Sequence, residues 1–330
     1  MKTLRYFSTF TGIAGFELGI EYALHTTNRS KNGKSQEDQK NESEKRQGLE
    51  SAQGKRNAPA NGRSDRGTDS EPYTGSLCVG FSEIDPYACQ LLQNNYPTIK
   101  NYGDITKINE RGLPDFELFV GGFPCQSFSI AGKRRGFEDT RGTLFFEIVR
   151  ILKEKQPRLL LLENVKGLLS HSEGSTFLTI ITALDELGYD LQWQVLNSKN
   201  HGVPQNRERI FIVGHLRGTP RPEVFPIGES DSVTDGKLKV IRNSTYDTDR
   251  LYDPSGIART MRANAGGKGA KTGLYKTGEG IRRLTPTECE RLQGFPDGWT
   301  AGFSDTQRYK MLGNAVTVNV IRDIIIKLFT

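Results

Sequence analysis

Four consecutive leucines, Leu159–Leu162, run directly into Glu163 and Asn164. A strand that is apolar at every position has both faces covered, which is the environment of a central strand in a parallel sheet packed by helices on either side. The rest of the chain follows the same plan. Leu4–Ser8 reads as a first strand, and Ile13, Phe16, Ile20 and Leu24 behind it recur at helical spacing. Leu77–Phe81 is a second strand, and a helix starts at Asp85-Pro86, with proline at its first position. Glu117–Gly122 is a strand, Thr143–Glu154 a helix, Ser175–Leu187 a helix, and Asp190–Leu196 and Arg209–Gly214 are strands. Strands alternating with helices predict an α/β sheet whose ligand sites lie at strand carboxyl ends.

Two segments interrupt this pattern. From Thr26 to Ser70, Leu49 is the only residue among Ile, Leu, Val, Met, Phe, Tyr, Trp and Cys, too little apolar surface to offset ordering entropy. Residues 26–75 are therefore expected to be a disordered insertion within a unit made of 1–25 and 76–216. After Gly214 helical periodicity disappears, and 217–303 reads as a separate loop-rich module. Late in that module Thr285 and Glu288 form a capping-box pattern, with Pro286 in the first turn and Gly294 as the stop. Residues 304–330 return to the first unit, with Val316–Leu328 as a last apolar segment. The net charge is +6, and Arg217–Arg283 alone holds 13 Lys and Arg against 8 Asp and Glu. A localised basic stretch suggests a polyanionic partner, although a solvated surface has the same composition.

Cys78, Cys89, Cys125 and Cys289 form no C-x-x-C pair, and the four histidines form no H-E-x-x-H, so neither a disulfide framework nor a metal is expected. No apolar run reaches the roughly 18–20 residues of a membrane span. The first ten residues lack the features of a signal peptide, so the protein is expected in the cytoplasm.

Five motifs carry chemistry. Phe10–Gly15, FTGIAG, is a glycine-rich turn into a helix, where backbone amides can approach a ligand. Glu83 ends the next strand about 20 residues on once the insertion is set aside, the spacing of a ribose-binding acid. Cys125 follows Pro124 at the end of the Glu117–Gly122 strand, a position suited to a nucleophile as well as to an inert thiol. Glu163 ends its apolar strand partly desolvated, which would favour a protonated carboxyl able to donate a hydrogen bond. Arg207 and Arg209 alternate on one strand face, suited to carbonyl or phosphate contacts, with Glu208 turned the other way and paired structurally. The loop SFSIAGKRRGFEDTRGT, with Lys133, Arg134 and Arg135 between glycines, reads as a lid over an anionic substrate.

Taken in order, GGFPCQSFS, ENVKGLL, QNRERIF, RRLTPTECERLQGFPDGW and MLGNAV resemble the DNA (cytosine-5)-methyltransferases of restriction–modification systems and phages. The resemblance covers nearly the whole chain outside the insertion and much of 217–280. It implies a Rossmann-like S-adenosylmethionine-dependent catalytic domain with a small target-recognition domain, acting on double-stranded DNA as a monomer, with a companion restriction endonuclease possible. By this likeness Cys125 attacks C6 of a flipped cytosine, Glu163 holds its N3 and N4 edge, Arg209 holds O2 and Arg207 supports the site. Phe10, Gly12, Ile13, Gly15, Glu83, Ile84, Asp104, Ile105, Pro124, Leu144, Asn314 and Val316 match cofactor positions. Gln126 and Ser129 match the DNA-facing catalytic loop and Thr260 a threonine before the last motifs, while Lys133, Arg134, Arg259 and Arg262 are candidates for DNA contact by their charge. Two departures stand out: Ser8 where many members carry Asp, and Ala14 where glycine is usual, tolerable if its φ is negative. A transfer-RNA-specific branch shares the scaffold but has almost no recognition domain, so the basic module favours DNA. A nicotinamide dehydrogenase would explain the first motif and none of the others.

Overall fold

The computed structural model describes residues 2–26, 73–124, 144–228, 236–246, 249–263, 269, 271–278 and 280–329. The leucine run is β4 (Leu159–Val165), at the centre of a six-stranded sheet. The sheet also contains β1 (Lys2–Thr9), β2 (Tyr73–Ser82), β3 (Leu118–Gly122), β5 (Tyr189–Asn197) and β6 (Glu208–Leu216), in the order β2-β1-β3-β4-β6-β5. The first four strands are parallel, and β6 runs antiparallel to both β4 and β5.

The apolar run has the physical basis expected of it. Leu159 and Leu161 join one buried layer and Leu160 and Leu162 the other, as do Leu118 and Val120 against Phe119, and Phe211 and Val213 against Ile210 and Ile212. One layer is covered by α1 (residues 15–26) and α7 (Val318–Phe329), through Phe16, Ile20, Ile321, Ile324 and Ile325. The other is covered by α3 (Leu144–Lys155) and α4 (Ser175–Glu186), through Phe145, Ile148, Leu152, Ile180 and Leu184. Next to β2 lies α2 (Pro86–Asn95), whose N-cap Asp85 accepts from the amides of Tyr87 and Ala88.

Tyr73–Gly75, expected to belong to the insertion, are part of β2, and residues 27–72 lie outside the described residues. The module carries a four-stranded sheet of β7 (Val240–Arg242), β8 (Leu251–Tyr252), β9 (Leu274–Thr277) and β10 (Gly280–Arg282) in the order β10-β9-β8-β7. α5 (Pro286–Gln293) has the expected capping box: the Thr285 hydroxyl accepts from the Glu288 amide, the Glu288 carboxylate accepts from the Thr285 amide, and Gly294 ends the helix at φ 78°. Although α5 falls within 217–303, its Cys289 and Leu292 pack with Ile13, Leu18, Tyr309, Leu312 and Ala315 as well as with Tyr252 and Tyr275 of the module. The C-terminal segment is two helices, α6 (Asp305–Asn314) and α7, where only one apolar segment was expected. No helix among the described residues is long and apolar enough to cross a membrane, and no cluster of His, Cys, Asp and Glu among them could hold a metal.

Candidate active site

At the carboxyl ends of β1, β2, β3 and β4 the sheet opens into a cavity of about 470 Å³. Each strand contributes the residue at its tip. Glu83 follows β2, and its carboxylate accepts from three amides: Gly12 at 2.7 Å, and Ile84 and Asp85 at 2.8 Å each. The acid therefore pins the glycine-rich turn to the neighbouring strand. Ile84 stands at the cavity wall 69% exposed, and Phe10 and Ile105 add further apolar surface. Asp104 accepts from the backbone amide and hydroxyl of Thr106, which hold its carboxyl below the ordinary carboxylate range. Carboxylates beside apolar walls fit a ligand carrying a sugar diol and a planar ring. Gly122 adds room: a Cβ there would lie 3.0 Å from a Glu163 carboxylate oxygen.

The other end of the cavity is polar. Glu163 and Arg209 meet at 3.0 Å between Nε and a carboxylate oxygen, both side chains largely buried. Arg209 also donates to the Glu208 carbonyl, and Glu208 turns outward to pair with Lys166 at 3.0 Å. Asn164 is buried next to them. Its amide donates to the Phe123 carbonyl at 2.9 Å and its oxygen accepts from the Val165 amide at 2.8 Å, which fixes the ends of β3 and β4 relative to one another. Pro124 and Leu144 complete this wall. Cys125, Gln126, Ser129, Lys133, Arg134 and the basic loop lie outside the described residues.

Several expected site residues are held against backbone or lie away from the cavity. Arg207 is 2% exposed and donates to the Gly313 carbonyl at 3.3 Å and the Ala315 carbonyl at 2.7 Å, so it holds backbone. Gly15 and Val316 are not part of the cavity lining and press on one another: a Cβ on Gly15 would lie 2.7 Å from Val316 Cγ1. Arg259 is 5% exposed, and its backbone amide donates to the Tyr275 hydroxyl at 3.3 Å, so it is a buried residue of the module. Thr260 donates its hydroxyl to the Asn206 carbonyl, while Arg262 is exposed. Ala14 has φ 71°, the sign opposite to the one that would make a methyl group easy to accept, and Phe10 has φ 52°. Non-glycine residues in this region cost on the order of 1–3 kcal/mol each, and here both stand in the turn that faces the cavity.

Lys310, Met311 and Asn314 of α6 line the cavity from the far side. Lys310 reaches Asp85 at 2.7 Å and so ties α6 to the start of α2. Neither Lys310 nor the structural part of Asn164 was singled out from the sequence. The only available signal was their position beside the quoted MLGNAV and ENVKGLL stretches.

A mostly parallel open sheet with a glycine turn after β1, an acid at the tip of β2 and an acid–arginine pair at the tips of β4 and β6 is a Rossmann-like fold with its cavity at the strand tips. A family model described as C-5 cytosine-specific DNA methylase matches residues 72–250 and 227–330. Type II methyltransferase M.HhaI of Haemophilus parahaemolyticus is 37% identical over 282 residues, 75% of this chain and 86% of that protein. Type II methyltransferase M.SsoII of Shigella sonnei is 42% identical over 287 residues, 78% of this chain and 75% of that protein. The fold matches that of the S. pombe Dnmt2 methyltransferase with a TM-score of 0.66 at 18% identity, covering 98% of each chain. The chain belongs to the C-5 cytosine-specific DNA methylase family. Its reaction is the transfer of a methyl group from S-adenosylmethionine to C5 of cytosine in DNA.

Proposed function

We propose that the cavity takes the methyl donor at its Glu83 end and a flipped cytosine at its Glu163–Arg209 end, with Cys125 as the nucleophile. The observation that carries this reading is the continuity of the cavity. One space runs from Phe10, Glu83 and Asp104 to Glu163 and Arg209, and Pro124, the residue before Cys125 in the chain, forms part of its wall. The Cys125 thiolate adds to C6 of the ring, and the displaced π electrons build negative charge toward N3 and O2 and make C5 nucleophilic. Glu163 meets the N3 and N4 edge and Arg209 meets O2, so both act where charge develops. Bound S-adenosylmethionine supplies the methyl group as an electrophile. Release of the C5 proton to a base and cleavage of the Sγ–C6 bond then restore the ring and the thiolate. Arg207 serves from behind, by holding the wall.

Incorporation of labelled methyl groups into mixed-sequence duplex DNA tests the assignment. Cys125→Ser should abolish it, and labelling equal to that of the unaltered protein would overturn the nucleophile. Glu163→Gln should lower kcat/KM by about 10²–10³-fold with the fold retained, the usual effect of removing one group that stabilises transition-state charge. Transfer RNA acting as the better acceptor would overturn duplex DNA as the substrate.

The names of its relatives as Type II methyltransferases support a finer reading. The protein would methylate one short sequence, as a monomer on cytoplasmic DNA, and protect it from a companion endonuclease. Bisulfite sequencing of host DNA after expression should show one methylated motif, and methylation scattered without sequence context would overturn this.

A further inference from the structure

The stretch Gly313–Thr317, from the end of α6 to the start of α7, touches the recognition module, Arg207 just before β6, α5 and Gly15 after the glycine-rich turn. Gly313 is pressed against the module: a Cβ there would lie 2.6 Å from the Ala263 nitrogen and 2.8 Å from the Arg262 carbonyl carbon. Asn314 is exposed in the cavity. The Ala315 carbonyl accepts from Arg207 at 2.7 Å and from Gln293 of α5 at 3.1 Å. The Thr317 hydroxyl donates to the Gln293 amide oxygen at 2.6 Å and meets the Ser198 hydroxyl at 2.8 Å. Gln205 links the same region to the module, donating to the Leu292 carbonyl at 2.8 Å and accepting from the Met261 amide at 3.4 Å.

Gln205, Arg207 and Gln293 are buried, so a shift of this stretch would strand donors and carbonyls away from water, at about 1–3 kcal/mol for each unmade bond. A displacement of the module at Arg262–Ala263 is therefore passed along the stretch to Asn314 more cheaply than it is absorbed by breaking the network.

We propose that Gly313–Thr317 couples the recognition module to the donor cavity, with Gln293 as the positioning residue that transmits how the module is seated to Asn314. The coupling rests on the reading of the cavity as the donor site. Linkage is reciprocal: if seating on DNA tightens donor binding, the donor tightens DNA binding by the same factor. It also accounts for three separate motifs, QNRERIF, ECERLQGF and MLGNAV, since the first two supply the side chains that grip the third.

The test is calorimetric titration with S-adenosylhomocysteine, with and without saturating duplex oligonucleotide that carries the motif found by bisulfite sequencing. In the unaltered protein DNA should tighten binding by about 5–150-fold, the usual range of coupling between sites. Gln293→Met should reduce that ratio at least about fivefold, and Thr317→Val about twofold. A purely structural role for Gln293 would lower the unfolding temperature and leave the ratio intact, and that result overturns the proposal. So does an unaltered protein whose affinity ignores DNA. If Gln293→Met does not fold, Thr317→Val decides, and an unchanged ratio there refutes the coupling. Absence of any S-adenosylhomocysteine binding to the unaltered protein would instead remove the donor reading itself.

Discussion

In the six-stranded sheet, Leu160 and Leu161 are each fully buried against opposite helical layers, whereas in the module every residue of β7 is exposed. The larger sheet is covered on both faces along its central strands, and Glu83, Glu163 and Arg209 stand at its strand tips. The smaller sheet has strands of two to four residues, and Val240, Ile241 and Ile281 lie open on it beside Arg242, Arg282 and Arg283. One region derives its stability from burial and limits chemistry to one end. The other leaves apolar and basic side chains uncovered on its short strands. Tyr252, Ala258, Met261 and Tyr275, packed with α5 and α6, give the module its buried side.

This contrast can be broken at several points. Leu161→Ala should cost about 3 kcal/mol by urea unfolding, since the site is closed on all sides and cannot collapse. A cost below about 1 kcal/mol would mean that the large sheet is not the tightly packed region. Glu17 of α1 comes next. It is fully buried, and burial, opposed in part by the nearby Ser8 hydroxyl, pushes its carboxyl from the ordinary 4.5 to about 7. Because the folded value is raised, the unfolded chain releases this proton first. Stability should fall as pH rises from 4.5 to 7, by up to about 3 kcal/mol, and stay level above that. Glu17→Gln should flatten this slope, and an identical slope in the variant would locate the proton elsewhere. Ala14→Gly should raise stability by about 1 kcal/mol by relieving the strained turn. Smallest is Val240→Ala, within about 0.5 kcal/mol, because β7 has little burial to lose. A larger loss would show the module to be a packed core in its own right.

Much of this was legible before the structure. The strands and helices through Leu216 were readable because a doubly covered sheet requires continuous apolar runs, and α5 because its cap and stop are local hydrogen-bond chemistry. α6 was not separable: it is polar along much of its length and its stop at Ala315 carries no glycine or proline signal. The condition on Ala14, a negative φ, is not met, because the sign of a φ is set by where the turn must return, here to an amide held by Glu83.

By itself the sequence determined the α/β alternation of strands and covering helices and the family, since these rest on side-chain type and spacing along one chain. Only the tertiary structure decided that β6 runs against β4, that Glu163 and Arg209 form a pair, that Arg207 grips the Gly313–Ala315 backbone, and that Arg259 is buried. Each of these joins residues far apart in the chain, and a side chain's partner depends on which distant backbone arrives beside it.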